Sequence, residues 1–301
     1  MTIPFLRPAK FFLTFSTIAA ISGVVLLIVP GPKLSIDFTG GTLVELKIPS
    51  SATKEDLQKA LASVTFDTGE GIGSFSISST RSQTMLIRLR DLSNEEHLAL
   101  IEHLSTTLGE TDELQFTTIG PTVGATLKRR SLMALAIASV AIVVYLAFAF
   151  RKVPRRLSPW RFGIIAVVSL LHDVAVTVGI FVLLSHWTSF EMDTLFVTAL
   201  LTIIGYSVND TIVIFDRIRD NVLTQERNEP FAAVCERSLN ESLTRTINTV
   251  FSTLIMLFAL VFLGSQSIRW FVLTLIVGCI VGTYSSIFLA TPLLVYWRKR
   301  D

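Results

Sequence analysis

Asp210 lies inside Gly205–Asp220, GYSVNDTIVIFDRIRD, an apolar helix-forming stretch with Asn209 beside the carboxylate and alternating charges at its end. A carboxylate set in hydrocarbon costs roughly 2.5–3.5 kcal/mol on insertion scales, so such a residue calls for a partner or a task. Arg245, a short way into the next apolar segment, is the natural partner. A guanidinium favours the charged carboxylate and burial favours the neutral one, and a small rearrangement can tip that balance, as a proton-driven switch requires. A static buried ion pair is the plainer reading of the same two residues. His172 and Asp173 sit near the middle of another apolar run, where they are either satisfied by neighbouring helices or part of a proton or ion path. Asn248 stands with Thr244, Thr246, Thr249, Ser252 and Thr253 in a polar run beside Arg245, and hydroxyl residues of this kind often join helices. Asp216 and Arg217 fall at a membrane boundary, where local pairing or snorkelling suffices.

Composition sets the medium for this chemistry. Half of the 301 residues are hydrophobic and 17% are charged, below the roughly 25% usual in soluble chains. The net charge of +2 offers no nucleic-acid surface, and the basic residues cluster beside apolar segments as topology signals. Cys235, in a polar loop, and Cys279, deep in an apolar run, write no disulfide framework.

Six apolar segments are long enough to span a bilayer: about 11–30, 131–150, 162–184, 193–215, 243–263 and a last one ending at Trp297. The first lacks a small-x-small cleavage site and reads as a retained span rather than a signal peptide. Arg151, Lys152, Arg155, Arg156 and Arg161 fill one short loop, with Pro154 and Pro159 keeping it non-helical, and the positive-inside rule makes that loop cytoplasmic. Both termini are then inside. Lys128, Arg129 and Arg130 run against the rule locally and are outnumbered.

Between the first two spans hydropathy collapses for about a hundred residues, enough for one small domain. Gly41–Ile48 alternates as a half-buried strand. Thr53 with Asp56, and Ser93 with Glu96, are capping-box starts of two helices. The second of these carries a stripe of Leu98, Ile101, Leu104 and Leu108. Residues 74–80 and 83–90 are strands about a tight turn at Arg81 and Ser82, and 112–119 is a fourth strand. This order is that of the ferredoxin-like, split βαβ arrangement. His97 and His103 do not share a helix face and read as solvated surface residues. The chain divides into a tail and first span at 1–32, an external (periplasmic) α+β domain at 33–128, and a five-span bundle at 129–301. The fold class is a polytopic α-helical membrane protein with six transmembrane helices and this one external domain.

Several of these segments together resemble the SecF protein-export membrane proteins, of the SecD/SecF family in the resistance-nodulation-division superfamily. Ser35-Ile-Asp-Phe-Thr-Gly-Gly-Thr42 is similar to the family's GIDFxGGT element, with Ser35 where glycine is usual. Leu171-His-Asp173 resembles its third-span element, Gly205–Thr211 through Phe215–Arg219 its most specific motif, and Leu243–Asn248 the fifth-span motif with the family arginine. The resemblance covers essentially the whole chain and implies a subunit without catalytic chemistry or cofactor. It implies ion coupling by Asp210 and Arg245, supported by Asn209, His172, Asp173 and Asn248, with H⁺ as the coupling ion and Na⁺ the alternative. Asp37, Gly40 and Gly41, with Gly120 and Pro121 on the return, become the domain connection. The implied partners are SecD, the SecYEG translocon, the emerging preprotein and the lipid bilayer of the bacterial inner membrane. Two other readings compete. An intramembrane aspartyl protease would use Asp173 and Asp210 as its dyad, against which Asp210 follows Val-Asn and the two depths differ. A passive translocon scaffold would need neither carboxylate.

Overall fold

The computed structural model describes residues 3–49, 52–66, 71–79, 84–149, 159–224 and 229–298. In chain order the elements are α1 (Ala9–Ile28), a short α2 (Ile36–Thr39), β1 (Gly41–Lys47), α3 (Lys54–Ala62), β2 (Ser76–Ser79), β3 (Met85–Leu89), α4 (Asn94–Leu108), β4 (Asp112–Ile119), α5 (Pro121–Ala149), α6 (Pro159–Trp187), α7 (Thr194–Leu223), α8 (Phe231–Leu263), α9 (Arg269–Ser285) and α10 (Thr291–Arg298). Six helical segments are long and apolar enough to cross a membrane, the last running over Gln266–Arg298. The chain forms two compact units, one of residues 34–132 with 191–194, the other of the remaining helices.

In the first unit four strands pair antiparallel in the order β2-β3-β1-β4. The alternation read from β1 is real: Val44 and Leu46 are buried against Ile87 and Leu89 of β3, and Leu57, Ala60 and Leu61 of α3 and Leu100 and Leu104 of α4 close the same core. Both capping boxes form. Thr53 Oγ1 accepts from Asp56 N–H and Ser93 Oγ from Glu96 N–H, and each acidic side chain reaches back to the cap residue's N–H. They satisfy helix-start donors that would otherwise be unpaired.

Several expectations need correction here. Leu98 faces outward, because the buried stripe of α4 is set by Leu100 and Leu104. His97 and His103 are half-buried rather than solvated: His97 lies 3.1 Å from Glu113 and stacks on Phe116, and His103 lies 3.1 Å from Ser63. The turn at Arg81 and Ser82 lies outside the described residues.

The spans of the second unit are mostly longer than hydropathy suggests. α5 starts at Pro121 and α6 at Pro159, each proline at a first helical position where its missing N–H is no loss. Pro159 and Arg161 therefore belong to the helix rather than to a loop. Arg151, Lys152, Pro154, Arg155 and Arg156 lie outside the described residues. α8 begins at Phe231, so Cys235 sits on a helix, fully buried, rather than in a loop. α6 and α7 and the sixth span supply most of the buried residues, whereas α1, α5 and the latter half of α8 leave Phe11, Ile137, Phe251 and Phe262 exposed. The sixth span widens into a π-helical turn, Ser286–Ala290, just before Pro292. Proline has no N–H for the i→i−4 ladder, which accounts for the local departure from α geometry.

Close approach of these helices depends on glycine. A Cβ added to Gly23 of α1 would lie 2.1 Å from the Ala175 carbonyl oxygen of α6, and one on Gly278 of α9 would lie 2.2 Å from the Ile203 side chain of α7. Small residues at such crossings let helices pack closely where lipid gives no hydrophobic drive.

Candidate functional site

Asp173 is wholly buried where α6, α7 and α9 meet. Its carboxylate accepts from the hydroxyl of Ser207 on α7 and from that of Ser285 at the end of α9, the latter at 2.8 Å. His172 Nδ1 lies 2.9 Å from the other carboxylate oxygen. Ser169, one turn earlier on α6, donates to Ser285 at 3.1 Å. The outcome is an oxygen-rich cluster on three helices, with Gly282 permitting it: a Cβ there would lie 3.1 Å from Ser207 Cβ.

Asp210 lies one turn beyond Ser207 on the same face of α7, 3% exposed, and accepts from the Thr283 hydroxyl at 3.1 Å. Thr211 and Ser286 pair at 2.8 Å beside it. The polar residues of α7 and α9 thus form a seam through an otherwise apolar bundle. Ser169, Thr283, Ser285 and Ser286 were not singled out from sequence. Their signal was a cluster of small hydroxyls within an apolar run, which alone reads as helix packing.

The expected Asp210–Arg245 ion pair is not formed. Arg245 is exposed on α8 and has no ion-pair partner among the described residues. Because α8 begins at Phe231, Arg245 lies well along the helix, on an exposed face, whereas Thr246 and Val250 are buried. Asn209 and Asn248 are likewise exposed. Arg245, Asn248, Thr249 and Ser252 form a polar stripe on the outer face of α8, with the Thr249 hydroxyl bonded back to the Arg245 carbonyl at 2.9 Å. Gly205 has open space rather than a packed neighbour. At the far end of α7, Asp216 pairs with Arg219 at 2.8 Å, and Arg217 with Glu241 of α8 at 2.7 Å. Asn221 joins Ser238 at 3.0 Å and Glu241 at 2.6 Å, which ties the two helices together.

His172 Nε2 is buried with no hydrogen-bond partner among the described residues. A groove of about 440 Å³ between α1 and α6 passes it, lined also by Ser16, Ile21, Val24, Val168 and Leu171. Asp173 and Asp210 each take their own hydroxyl partners and do not bond to one another, unlike a dyad sharing a proton.

In the first unit the chain's entry and exit run side by side. Gly40, at φ +75°, would place a Cβ 2.9 Å from Pro121 Cα, and one on Gly124 would lie 2.8 Å from Gly40 N. Gly41 pairs with Ile119 at the start of the β1–β4 ladder. Asp37 Oδ2 accepts from Thr194 N–H at 2.9 Å and from its hydroxyl at 2.6 Å. The residues expected at the domain connection, Asp37, Gly40, Gly41, Gly120 and Pro121, are therefore neighbours.

The family description "Protein export membrane protein SecD/SecF, C-terminal" matches residues 100–300, and the "SecD/SecF GG Motif" matches residues 25–48. The chain is 42% identical over 296 residues to the protein translocase subunit SecF of Thermobaculum terrenum, covering 96% of this chain and 92% of that one. It is 35% identical to protein translocase subunit SecDF of Thermus thermophilus, covering 98% of this chain and 38% of that longer one. The crystal structure of SecDF from Thermus thermophilus, described as a translocon-associated membrane protein, superposes over 100% of this chain and 39% of its own, with a TM-score of 0.85 at 34% identity.

Proposed function

This chain belongs to the SecD/SecF family of protein-export membrane proteins, and on that premise we propose that it is a SecF subunit that couples ion entry to preprotein export. It pairs with SecD and uses the proton-motive force to assist translocation through the SecYEG channel. It lies in the bacterial cytoplasmic membrane with both termini inside. Residues 33–128 form the external domain that meets the emerging preprotein. The antiparallel order β2-β3-β1-β4 with two intervening helices supports a ferredoxin-like reading of that domain. SecDF relatives, in which a longer single chain contains the counterpart of this one, support SecD as the partner.

The observation that carries the reading is Asp210: a buried carboxylate on the α7–α9 seam, facing a hydroxyl and no cation among the described residues. Approach of a guanidinium favours the charged form of a carboxylate. Arg245 supplies that group by moving toward Asp210 in another state of the bundle. Asp173 and His172 extend the polar path. The membrane field adds about 2.3 kcal/mol per elementary charge per 100 mV, enough to bias a two-state element by more than tenfold. The test is ion conductance and export for Asp210→Asn and Arg245→Met in complexes shown to assemble intact. Loss of both activities is expected; full activity in both variants would sink the proposal and favour a passive scaffold.

A sodium-coupled form of the same machine has one specific observation in its favour. The Asp173 carboxylate and the hydroxyls of Ser169, Ser207 and Ser285 are oxygen donors suited to a hard cation. Export that depends on sodium at fixed proton-motive force decides for it.

A further inference from the structure

The four residues Glu191–Thr194, immediately before and at the start of α7, belong to the compact unit of residues 34–132. Three separate attachments hold them there. Leu34 and Met192 form a parallel bridge in which Ser35 N–H donates to the Met192 carbonyl at 2.9 Å, and the Met192 side chain is buried. Asp37 accepts from both the N–H and the hydroxyl of Thr194. Arg88 of β3 pairs with Glu191.

Each attachment suits a mechanical joint better than a passive contact. The first N–H groups of a helix lack partners within it and carry partial positive charge. A carboxylate from 157 residues away satisfies the first of them in α7 by a charge-assisted bond, which is both stronger and more directional than a neutral one. A local side chain could cap the helix equally well, but only a remote one joins it to another element. The load enters the sheet at its centre: Arg88 is on β3, Asp37 leads through α2 into β1, and these are the two inner strands. α7 itself is a continuous helix from Thr194 to Leu223. At 1.5 Å per residue, Asp210 lies about 24 Å along it from Thr194, so an axial shift or rotation at the carboxylate reaches Thr194 with little loss.

Resting on the export reading above, we infer that Glu191–Thr194, gripped by Ser35, Asp37 and Arg88, is the joint through which movement of α7 is delivered to the external domain. Asp37, Arg88 and Glu191 are positioning residues. They touch no transported ion, and their loss uncouples export from ion flow instead of stopping flow.

The test uses the full chain assembled with SecD in proteoliposomes containing SecYEG. Ion conductance and export are measured for Arg88→Glu, Glu191→Arg, the double exchange, Asp37→Asn, and Asp210→Asn as control. The single exchanges and Asp37→Asn should keep conductance and lose about tenfold in export, and the double exchange should restore export. Loss of conductance together with export, full export in Asp37→Asn and both single exchanges, or a double exchange that restores nothing overturns the joint. Asp37→Asn keeps the side-chain volume and one acceptor, so it carries the test if a charge-reversed chain does not assemble. An Asp210→Asn control with normal conductance and export defeats the coupling reading itself, whereas a silent control is not expected when only the joint is wrong.

Discussion

The two buried carboxylates of the spans are met mainly by hydroxyl donors. Asp173 has Ser207, Ser285 and His172, and Asp210 has Thr283. Among the described residues, no lysine or arginine forms an ion pair with either carboxylate. Outside the membrane the pairing is of the opposite kind. Glu96 receives the Arg90 guanidinium, 3.1 Å from one oxygen, and the Ser93 N–H at 2.9 Å. The Arg90 hydrogen bond, ahead of the other influences, holds the Glu96 carboxyl below its ordinary 4.5. A folded-state value below the unfolded one adds stability that is complete above about 4.5 and is lost as pH falls through the folded value. Hydrogen-exchange protection of the α4 amides in the intact protein should therefore weaken on acidification below the ordinary glutamate range. Glu96→Gln should flatten that acid limb; an unchanged slope in the variant counts against the pairing.

At the scale of elements, glycine decides where helices meet. Gly278 of α9 has no room for a side chain against Ile203 of α7, whereas Gly205 on the exposed face of α7 has nothing within reach. Gly278→Val should destabilise the protein by the roughly 1–3 kcal/mol typical of overpacking, read as a lower thermal midpoint in detergent. Gly205→Ala removes a helix-interior glycine without a clash and should leave stability unchanged or raise it by up to about 1 kcal/mol. Equal effects from the two substitutions would remove the distinction between a crossing glycine and a free one. The same crossing positions Ser207 and Ser285 around Asp173, so a helix-packing residue governs the polar cluster. The π-helical turn before Pro292 carries Ser286 opposite Thr211, which places the irregular part of the sixth span beside the seam.

Each of the two compact units has an apolar interior of its own among the described residues. The unit of strands and short helices has its own interior around Val44, Leu46, Ile87 and Leu104. Leu104→Ala should cost that unit about 2–5 kcal/mol, seen as faster amide exchange in β1, β3 and α4 with the spans unaffected. Exchange that rises equally in α6 and α7 would mean that the two cores unfold together. Much of this organisation was legible in the chain. Hydropathy and length gave six spans, since a bilayer imposes a run of about twenty apolar residues on any helix that crosses it. Alternation gave β1, and the capping boxes at Thr53 and Ser93 fixed two helix starts, because each depends on contacts only three residues apart. That Asp173 and Asp210 are carboxylates within apolar helices was also evident from the chain, and both are buried. Partners were another matter. Sequence pointed Asp210 at Arg245, yet the rotation of α8 turns Arg245 outward, and it is Thr283 on α9 that meets the carboxylate. Nothing local joins Asp37 to Thr194 or Arg88 to Glu191. A helix's periodicity tells which face avoids water, but in a bilayer both lipid and protein accept an apolar face. Which residues touch is then set by packing between segments far apart in the chain, and that only the tertiary structure decided.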